Sequence, residues 1–189
     1  MPPRVFLLKA GSILRDKSGK IIDARSSVAL IVSRFQTILV DTGIKGEDKI
    51  IIDALALNGF EPDDVEIVIN THSHPDHNGN NFLFENADFL FPREAELIVP
   101  SVMAIETPGH SLDSISILVE GDRIIAVAGD ALPTLNNFLK NVPPALHIDR
   151  DLVISSMQRI ISGAEIVIPG HDNPFSVSKR MYVKWPNQG

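Results

Sequence analysis

The sequence contains no cysteine, and only one tryptophan and one tyrosine, among its 189 residues. The absence of cysteine excludes disulfide bonds, thiolate ligands to metals and cysteine nucleophiles. No apolar run approaches the roughly 18 residues that a membrane-spanning helix requires. The apolar run near the start, from Val5 to Leu8, is too brief for the core of a signal peptide. We therefore expect a soluble, cytoplasmic protein that does not associate with membranes.

Positive charge is also scarce, since 17 basic residues face 24 acidic residues and the formal net charge is −7. This balance gives no general attraction to nucleic acids or to anionic membranes. Hydrophobic residues make up 44% of the chain, which is enough to bury a sizeable core at this length. We predict a single domain over residues 1–189.

Short apolar, β-branched runs alternate with two helical patterns, at residues 47–58 and 150–162, which indicates an α/β protein. The predicted strands are residues 4–14, 26–33, 37–43, 65–70, 87–91, 101–106, 114–120, 123–129 and 164–170. A turn at residues 16–20 predicts an N-terminal hairpin, and its tip is a candidate flap whose role the sequence does not decide. Residues 131–148 contain three prolines and are predicted to be irregular, with one helical turn.

The densest polar pattern is THSHPDH at residues 71–77, which contains His72, His74, Asp76 and His77. Imidazole and carboxylate groups are common ligands of transition metals. Pro75 has no N–H group and disfavours a helical conformation before it, so we predict a non-helical loop after the strand at residues 65–70. The pattern therefore predicts that this loop supplies several metal ligands.

Four further predicted strands end in a small turn that carries a ligand-type side chain, namely Asp41, His110, Asp130 or His171. In layered α/β proteins such strand ends meet at one edge of the sheet. A single histidine after Pro-Gly is usually an ordinary turn residue, but together with the cluster it becomes a candidate ligand. His147 lacks such neighbours and is predicted to be a loop histidine that does not bind metal.

Together these motifs resemble those of the metallo-β-lactamase superfamily. The resemblance implies a four-layer αββα sandwich of two mixed β-sheets with outer helices and two divalent metal ions at one edge. Zinc is expected, with iron or manganese as alternatives. Carried over by position, His72, His74 and His110 would bind one ion, Asp76, His77 and His171 the other, and Asp130 both, while Asp41 would hold a ligand by a hydrogen bond.

The resemblance also implies an enzyme, a metal-dependent hydrolase in which a metal-bridging hydroxide cleaves an ester, thioester, lactone or related bond. Asp76 and Asp130 would be its catalytic carboxylates. The chain is similar to compact glyoxalase-II-like hydrolases and to the group of metallo-β-lactamase-domain-containing protein 1. It has neither the metal-binding cysteine of the commonest β-lactamases nor the C-terminal helical extension of glyoxalase II itself. A small-molecule substrate is therefore expected.

Two alternative functions stay open at this point. One is a small metal-dependent nuclease, which the acidic charge balance disfavours. The other is a persulfide dioxygenase, in which His72, His110 and Asp130 would hold a single iron. Loops that follow the ligand-bearing turns are expected to contact the substrate through Asn136, Asn137, Lys140, His147 and Ser111. Nothing in the sequence indicates an oligomeric state.

Overall fold

The computed structural model describes residues 2–185 of the chain. Its strands are β1 (Arg4–Lys9), β2 (Ser12–Arg15), β3 (Ile21–Arg25), β4 (Val28–Val32), β5 (Thr37–Val40), β6 (Ile67–Ile69), β7 (Asp88–Leu90), β8 (Leu97–Val99), β9 (Val102–Glu106), β10 (Ile115–Glu120), β11 (Ile124–Val127), β12 (Ile166–Ile168), β13 (Phe175–Ser176) and β14 (Met181–Tyr182). Its α-helices are α1 (Asp48–Leu57), α2 (Pro75–Asn78), α3 (Leu135–Lys140) and α4 (Arg150–Gly163). Within residues 2–185, every helix is too short or too polar to cross a membrane.

The strands form two mixed sheets and a separate hairpin. The first sheet has the order β1-β4-β5-β6-β7, and the second has the order β14-β13-β12-β11-β10-β9-β8. In the first sheet β5 and β6 are parallel. In the second, β11 and β12 are parallel, while β9 and β11 both run antiparallel to β10. Strands β9, β11 and β12 therefore point in one direction and end at one edge of their sheet.

Strand β4 explains why the strands are apolar throughout instead of alternating between apolar and polar residues. Ala29 and Ile31 pack into the core between the two sheets, whereas Val28 and Leu30 pack into a second core beneath α1. Successive side chains of a strand point to opposite faces. Because both faces of this sheet are covered, both sets of side chains have to be apolar.

Helices cover the outer face of each sheet. Ile51 and Leu55 of α1 are fully buried against the first sheet. On the second sheet, Met157 and Ile160 of α4 pack in one cluster with Phe138 of α3. The order of layers is helix, sheet, sheet, helix, so the predicted αββα sandwich is confirmed.

The predicted strand at residues 4–14 was wrong in one respect, because the chain bends at Gly11. Strand β1 pairs with β4, and the hairpin consists of β2 and β3. The Gly11 N–H donates to Ser27 Oγ (2.8 Å), and that hydroxyl donates to the Pro169 carbonyl (2.7 Å). These bonds hold the base of the hairpin against the turn that precedes His171. A local sequence pattern does not indicate this long-range contact. The short strands β3, β8, β13 and β14 were also not predicted.

Candidate metal centre

The side chains proposed as metal ligands all follow the ends of strands. His72 comes soon after β6, His110 after β9, Asp130 after β11 and His171 after β12. Because these strands end at the same edge of the sandwich, their turns meet there, as the sequence pattern suggested. The seven predicted ligands form three overlapping groups whose ligand atoms lie within 4.8 Å of one another.

The first group consists of His72, His74 and His110. Their ring centroids lie 4.5 to 4.9 Å apart, and each pair of rings meets edge to face. The Nε2 atom of His110 lies 3.0 Å from Nδ1 of His74. Three imidazoles whose nitrogens lie within 4.8 Å of one another provide the donor set of a typical metal site.

The second group consists of Asp76, His77 and His171. Oδ2 of Asp76 lies 3.4 Å from Nε2 of His171 and 3.9 Å from Nε2 of His77. Asp76 is the most exposed of the three side chains, at 20%, whereas the two histidines are buried. The carboxylate of this group is therefore partly exposed to solvent, whereas its two histidines are shielded.

Asp130 lies between the two groups. Its Oδ1 atom lies 3.1 Å from Nε2 of His171 and 3.3 Å from Nε2 of His77, and its Oδ2 atom lies 3.5 Å from Nε2 of His110. It also belongs to a third group, with His72 and His77. Its Oδ2 atom also lies 3.2 Å from Nε2 of His171, so this carboxylate is in reach of both groups.

Backbone and carboxylate oxygens fix the orientation of three of these rings. The Nδ1 atom of His77 lies 2.7 Å from Oδ2 of Asp41, that of His110 lies 2.7 Å from the Leu146 carbonyl, and that of His171 lies 2.9 Å from the Arg25 carbonyl. Since a carbonyl oxygen only accepts hydrogen bonds, each of the latter two rings carries its proton on Nδ1. The lone pair is then on Nε2, which faces the cluster.

The electrostatics of the cluster keep His72 neutral and Asp130 ionised. Burial lowers the pKa of His72 to about 2, and the nearby His77 adds to this shift. Burial opposes ionisation of Asp130, but His171 and His77 hold its pKa well below the usual value. Burial likewise lowers the pKa of His77, yet Asp41 and Asp130 raise it well above the ordinary value. Without a metal, this cluster retains a proton that a metal ion would replace.

Three buried atoms of the cluster show whether the residues suit a metal ion. Nε2 of His72, Nε2 of His77 and Oδ1 of Asp130 are buried and have no well-oriented hydrogen bond among the residues that the structure describes, although Asp130 Oδ1 lies 3.1 and 3.3 Å from two ring nitrogens. Buried polar atoms are nearly always satisfied, and leaving one without a partner costs roughly 1–3 kcal/mol. All three atoms are good metal donors and belong to one group, so this donor set fits a divalent ion.

The conformation of the histidine motif differs from the predicted non-helical loop. Pro75 is the first residue of the short helix α2, which contains Asp76 and His77. Proline suits the first position of a helix because its N–H group is not needed there and its φ angle is already helical. The helix begins at Pro75 and turns Asp76 and His77 towards the second group, whereas His74 is extended and belongs to the first.

A cavity of about 310 Å³ opens beside the cluster. Its wall includes five of the seven proposed ligands, namely His74, Asp76, His110, Asp130 and His171. The remaining lining residues are all apolar: Ile13, Ile21, Ala24, Ile44, Pro75, Pro133, Pro144 and Leu146. The hairpin contributes three of these residues, from its strands β2 and β3 and not from its tip. Sequence reasoning missed them because nothing local links an apolar hairpin to a distant histidine motif.

None of the five predicted substrate contacts lines this cavity, as far as residues 2–185 show. Asn136, Asn137 and Lys140 line a neighbouring cavity that also touches His171. The Asn137 side chain donates to the carbonyls of Val142 and Pro143 and so stabilises the segment that follows α3. Ser111 bonds to Ser114, while His147 is exposed, bonds to the Pro144 carbonyl and lies outside the three groups.

Comparison with known proteins identifies the family. The family model of the metallo-beta-lactamase superfamily matches residues 22–90. A probable metallo-hydrolase of Methanocaldococcus jannaschii is 38% identical over 179 residues, which cover 89% of this chain and 86% of that protein. The chain belongs to the metallo-beta-lactamase superfamily. It is a hydrolase of that superfamily, as predicted.

Other members of the superfamily match most of the chain. Metallo-beta-lactamase domain-containing protein 1 of Mus musculus is 35% identical over 175 residues, which cover 82% of this chain and 66% of that protein. An N-acyl homoserine lactonase of Bacillus thuringiensis is 26% identical, with 96% of this chain and 98% of the lactonase covered. A crystal structure of a B. thuringiensis lactonase variant with bound N-decanoyl-L-homoserine has a TM-score of 0.72 at 23% identity, covering 90% of this chain and 93% of that one. This last match shows the fold alone.

Proposed function

We propose that the protein is a dinuclear metal-dependent hydrolase that cleaves an ester, thioester or lactone bond of a small molecule. The observation that carries this proposal is the overlap of the three ligand groups. One group is built around His110 and another around His171, and Asp130 lies within 3.5 Å of both histidines. A single closed structural site would use four ligands, whereas seven ligand side chains are enough for two ions with open positions.

The proposed ligands have distinct tasks. Two divalent ions, zinc in the first instance, supply Lewis acidity that activates water and polarises a carbonyl group when they are bound. His72, His74 and His110 would hold one ion, Asp76, His77 and His171 the other, and Asp130 would serve both. Asp41 would keep His77 in the tautomer that leaves Nε2 free, through the 2.7 Å bond to Nδ1.

Asp76 is the carboxylate best placed to handle a proton. It lines the cavity, and its side chain is 20% exposed, compared with 11% for Asp130. Its Oδ2 atom lies near Nε2 of His171, so this histidine would help to orient the Asp76 carboxylate towards the reacting groups. We propose that Asp76 accepts the proton of the attacking water and returns it to the leaving alcohol, thiol or ring oxygen.

The choice of an acyl bond is supported by the lactonase relative and by the size of the cavity. That relative aligns with 96% of this chain. A cavity of about 310 Å³ suits a small molecule. The acidic balance of the chain, with 17 basic against 24 acidic residues, favours a small substrate over a nucleic acid.

Metal analysis combined with a substrate panel tests the proposal. Protein loaded with zinc, iron or manganese should contain about two ions per chain and hydrolyse at least one lactone, ester or thioester. Asp130→Asn and His74→Ala should each lower the metal content and reduce the hydrolysis rate at least a hundredfold. Asp53→Asn is the control, because that aspartate pairs with Lys49 on the surface of α1. It should change neither property.

Two results would contradict the proposal. One is a metal-replete protein that cleaves none of the acyl substrates. The other is a preparation that binds a single iron and consumes oxygen when a persulfide is added, since that reaction identifies a dioxygenase. The two results are distinguished by the metal stoichiometry and by an oxygen electrode.

A further inference from the structure

The wall of the cavity beside the ligand cluster is apolar wherever it is not formed by proposed ligands. Strands β2 and β3 contribute Ile13 and Ile21, and the loop before α4 contributes Leu146. Ile13 and Ile21 are half-buried, and Leu146 is 63% exposed. A ligand chain that covered these side chains would therefore remove apolar surface from water, which favours binding.

No lysine or arginine lines this cavity in the part of the chain that the structure describes. The arginines of the hairpin are engaged elsewhere. Arg25 donates to Asp23 (2.8 Å) and to Glu47 (3.3 Å), and Arg15 donates to the Gly19 carbonyl (2.9 Å). An anionic group that entered the cavity away from the metal ions would lose hydration and gain no cationic partner, which is unfavourable.

From these two features, and resting on the proposed function, we infer the substrate class. The cavity takes an uncharged, apolar acyl or alkyl chain attached to the scissile bond, and Ile13 and Ile21 determine how long that chain can be. Substrates that carry a second anionic group on this chain are excluded. Ile13 and Ile21 are thus specificity-determining residues, because they contact the chain and not the reacting atoms.

The hairpin itself supplies matched controls. Leu14 follows Ile13 and Ile22 follows Ile21, yet neither Leu14 nor Ile22 lines the cavity, and both are more than half exposed. A substitution at Leu14 or Ile22 changes the same strands, and it replaces a side chain of the same size as Ile13 or Ile21. It should therefore reproduce any general disturbance of the hairpin without altering the cavity wall.

Binding is tested first, because it does not require turnover. The δ1-methyl groups of isoleucine are labelled and followed by NMR while 1-octanol is titrated into metal-free and zinc-loaded protein. Ile13 and Ile21 should shift and saturate, and Ile22 should not move. For 1-alkanols of increasing length the affinity should rise up to about fourfold per methylene group. The inference would be overturned if Ile22 shifted as much as Ile13 and Ile21, or if the shift of Ile13 did not saturate. This test uses the unmodified protein.

Charge is tested in the zinc-loaded protein with octanoate and octanedioate, which differ by a carboxylate at the far end of the chain. Octanoate should bind at least tenfold more tightly. Equal or tighter binding of octanedioate would show that the cavity accepts a distal anion and would refute the inference.

Substitutions then connect binding to specificity. Ile13→Trp should weaken binding of 1-octanol at least tenfold and lower kcat/KM more for long acyl chains than for acetyl substrates. Leu14→Trp should leave both measurements unchanged, and Ile21→Phe provides a second narrowing variant. Equal effects of Ile13→Trp and Leu14→Trp would contradict the assignment. If zinc-loaded protein hydrolyses nothing, the proposed function fails, whereas the alkanol titration still decides whether the cavity binds apolar chains.

Discussion

The Nδ1 atom of His77 lies 2.7 Å from Oδ2 of Asp41, and both side chains are almost completely buried. Asp41 also accepts hydrogen bonds from the backbone N–H (2.7 Å) and the hydroxyl (2.9 Å) of Thr71. Its backbone has a φ angle of 60°, a region that asparagine and aspartate tolerate better than most residues. The aspartate therefore joins the end of β5 to the histidine motif after β6.

Asp41→Asn is expected to weaken metal binding about 10- to 100-fold while preserving the fold. The Thr71 N–H needs an oxygen acceptor, so the amide NH₂ of asparagine would face His77. That group donates to Nδ1 and moves the ring proton to Nε2, where it blocks metal binding. Chelator competition measures the affinity. Circular dichroism provides the check on folding, and an unchanged affinity in a folded variant would contradict the role given to Asp41.

Removal of the metal should lower the thermal stability. Ligands that bind only the folded state add about 2.7 kcal/mol at a hundredfold excess over Kd. For a chain of this length we expect a rise in Tm of roughly 5–10 °C when zinc is added to chelator-treated protein. Calorimetry measures the shift. Asp130→Asn should show a clearly smaller rise, and equal shifts in the two proteins would argue against a shared role for Asp130.

Gly11→Ala should disturb the site from a distance. A Cβ atom at this position would lie 2.2 Å from the Gly170 carbonyl oxygen and 2.7 Å from Cα of His171. The backbone has to shift, and such overpacking costs about 1–3 kcal/mol. We expect lower stability in urea and weaker binding of the ion assigned to His171.

Gly163→Ala is the matched control for this substitution. It lies at the end of α4, and among residues 2–185 its new methyl group would meet only Leu118, at an ordinary contact distance of 3.7 Å. Stability should stay the same or rise slightly, because alanine favours helices. If both substitutions leave stability and metal binding unchanged, the close packing at Gly11 contributes to neither property.

The pair between Arg159 of α4 and Glu94 predicts a small dependence of stability on pH. A hydrogen bond from Arg159 lowers the pKa of Glu94 below its ordinary value of 4.5. The stabilisation is therefore present above about pH 4.5 and is lost as the pH falls through the lowered pKa. Both side chains are more than two-fifths exposed, so the contribution should be below about 1 kcal/mol.

Urea unfolding between pH 3 and pH 7 measures this effect. Arg159→Gln should reduce stability at pH 7 and flatten its decline in acid. Arg150→Gln is the control on the same helix, because the ion pair of Arg150 is with its exposed neighbour Asp151. An acid decline that is identical in Arg159→Gln and the unmodified protein would contradict the assignment to Glu94.

Much of the fold was predictable because both sheets are covered on both faces. Strands such as β4 and β10 then appear as continuous apolar runs, and the helical periods of α1 and α4 identify the outer layers. The short strands β13 and β14 escaped prediction, since two residues are too few to form a pattern. Pro75 was misread because proline is equally compatible with a loop and with the first residue of a helix.

The sequence by itself determined the chemistry of the site. The residue types in THSHPDH, and the turns with Asp41, His110, Asp130 and His171, define a set of nitrogen and oxygen donors, and the chain direction of the strands brings them to one edge. Only the tertiary structure decided which groups surround those donors. The carbonyls of Arg25 and Leu146 orient two of the histidines, and any residue type could supply a carbonyl.

The cavity wall was likewise decided by tertiary structure. Ile13 and Ile21 lie more than a hundred residues from Asp130 and His171 in the chain. The local sequence around an apolar hairpin residue does not indicate that the residue contacts a distant site. Ligand chemistry depends on the functional groups of individual side chains and is therefore legible in the sequence. The shape and polarity of the cavity depend on long-range packing, which only the folded chain defines.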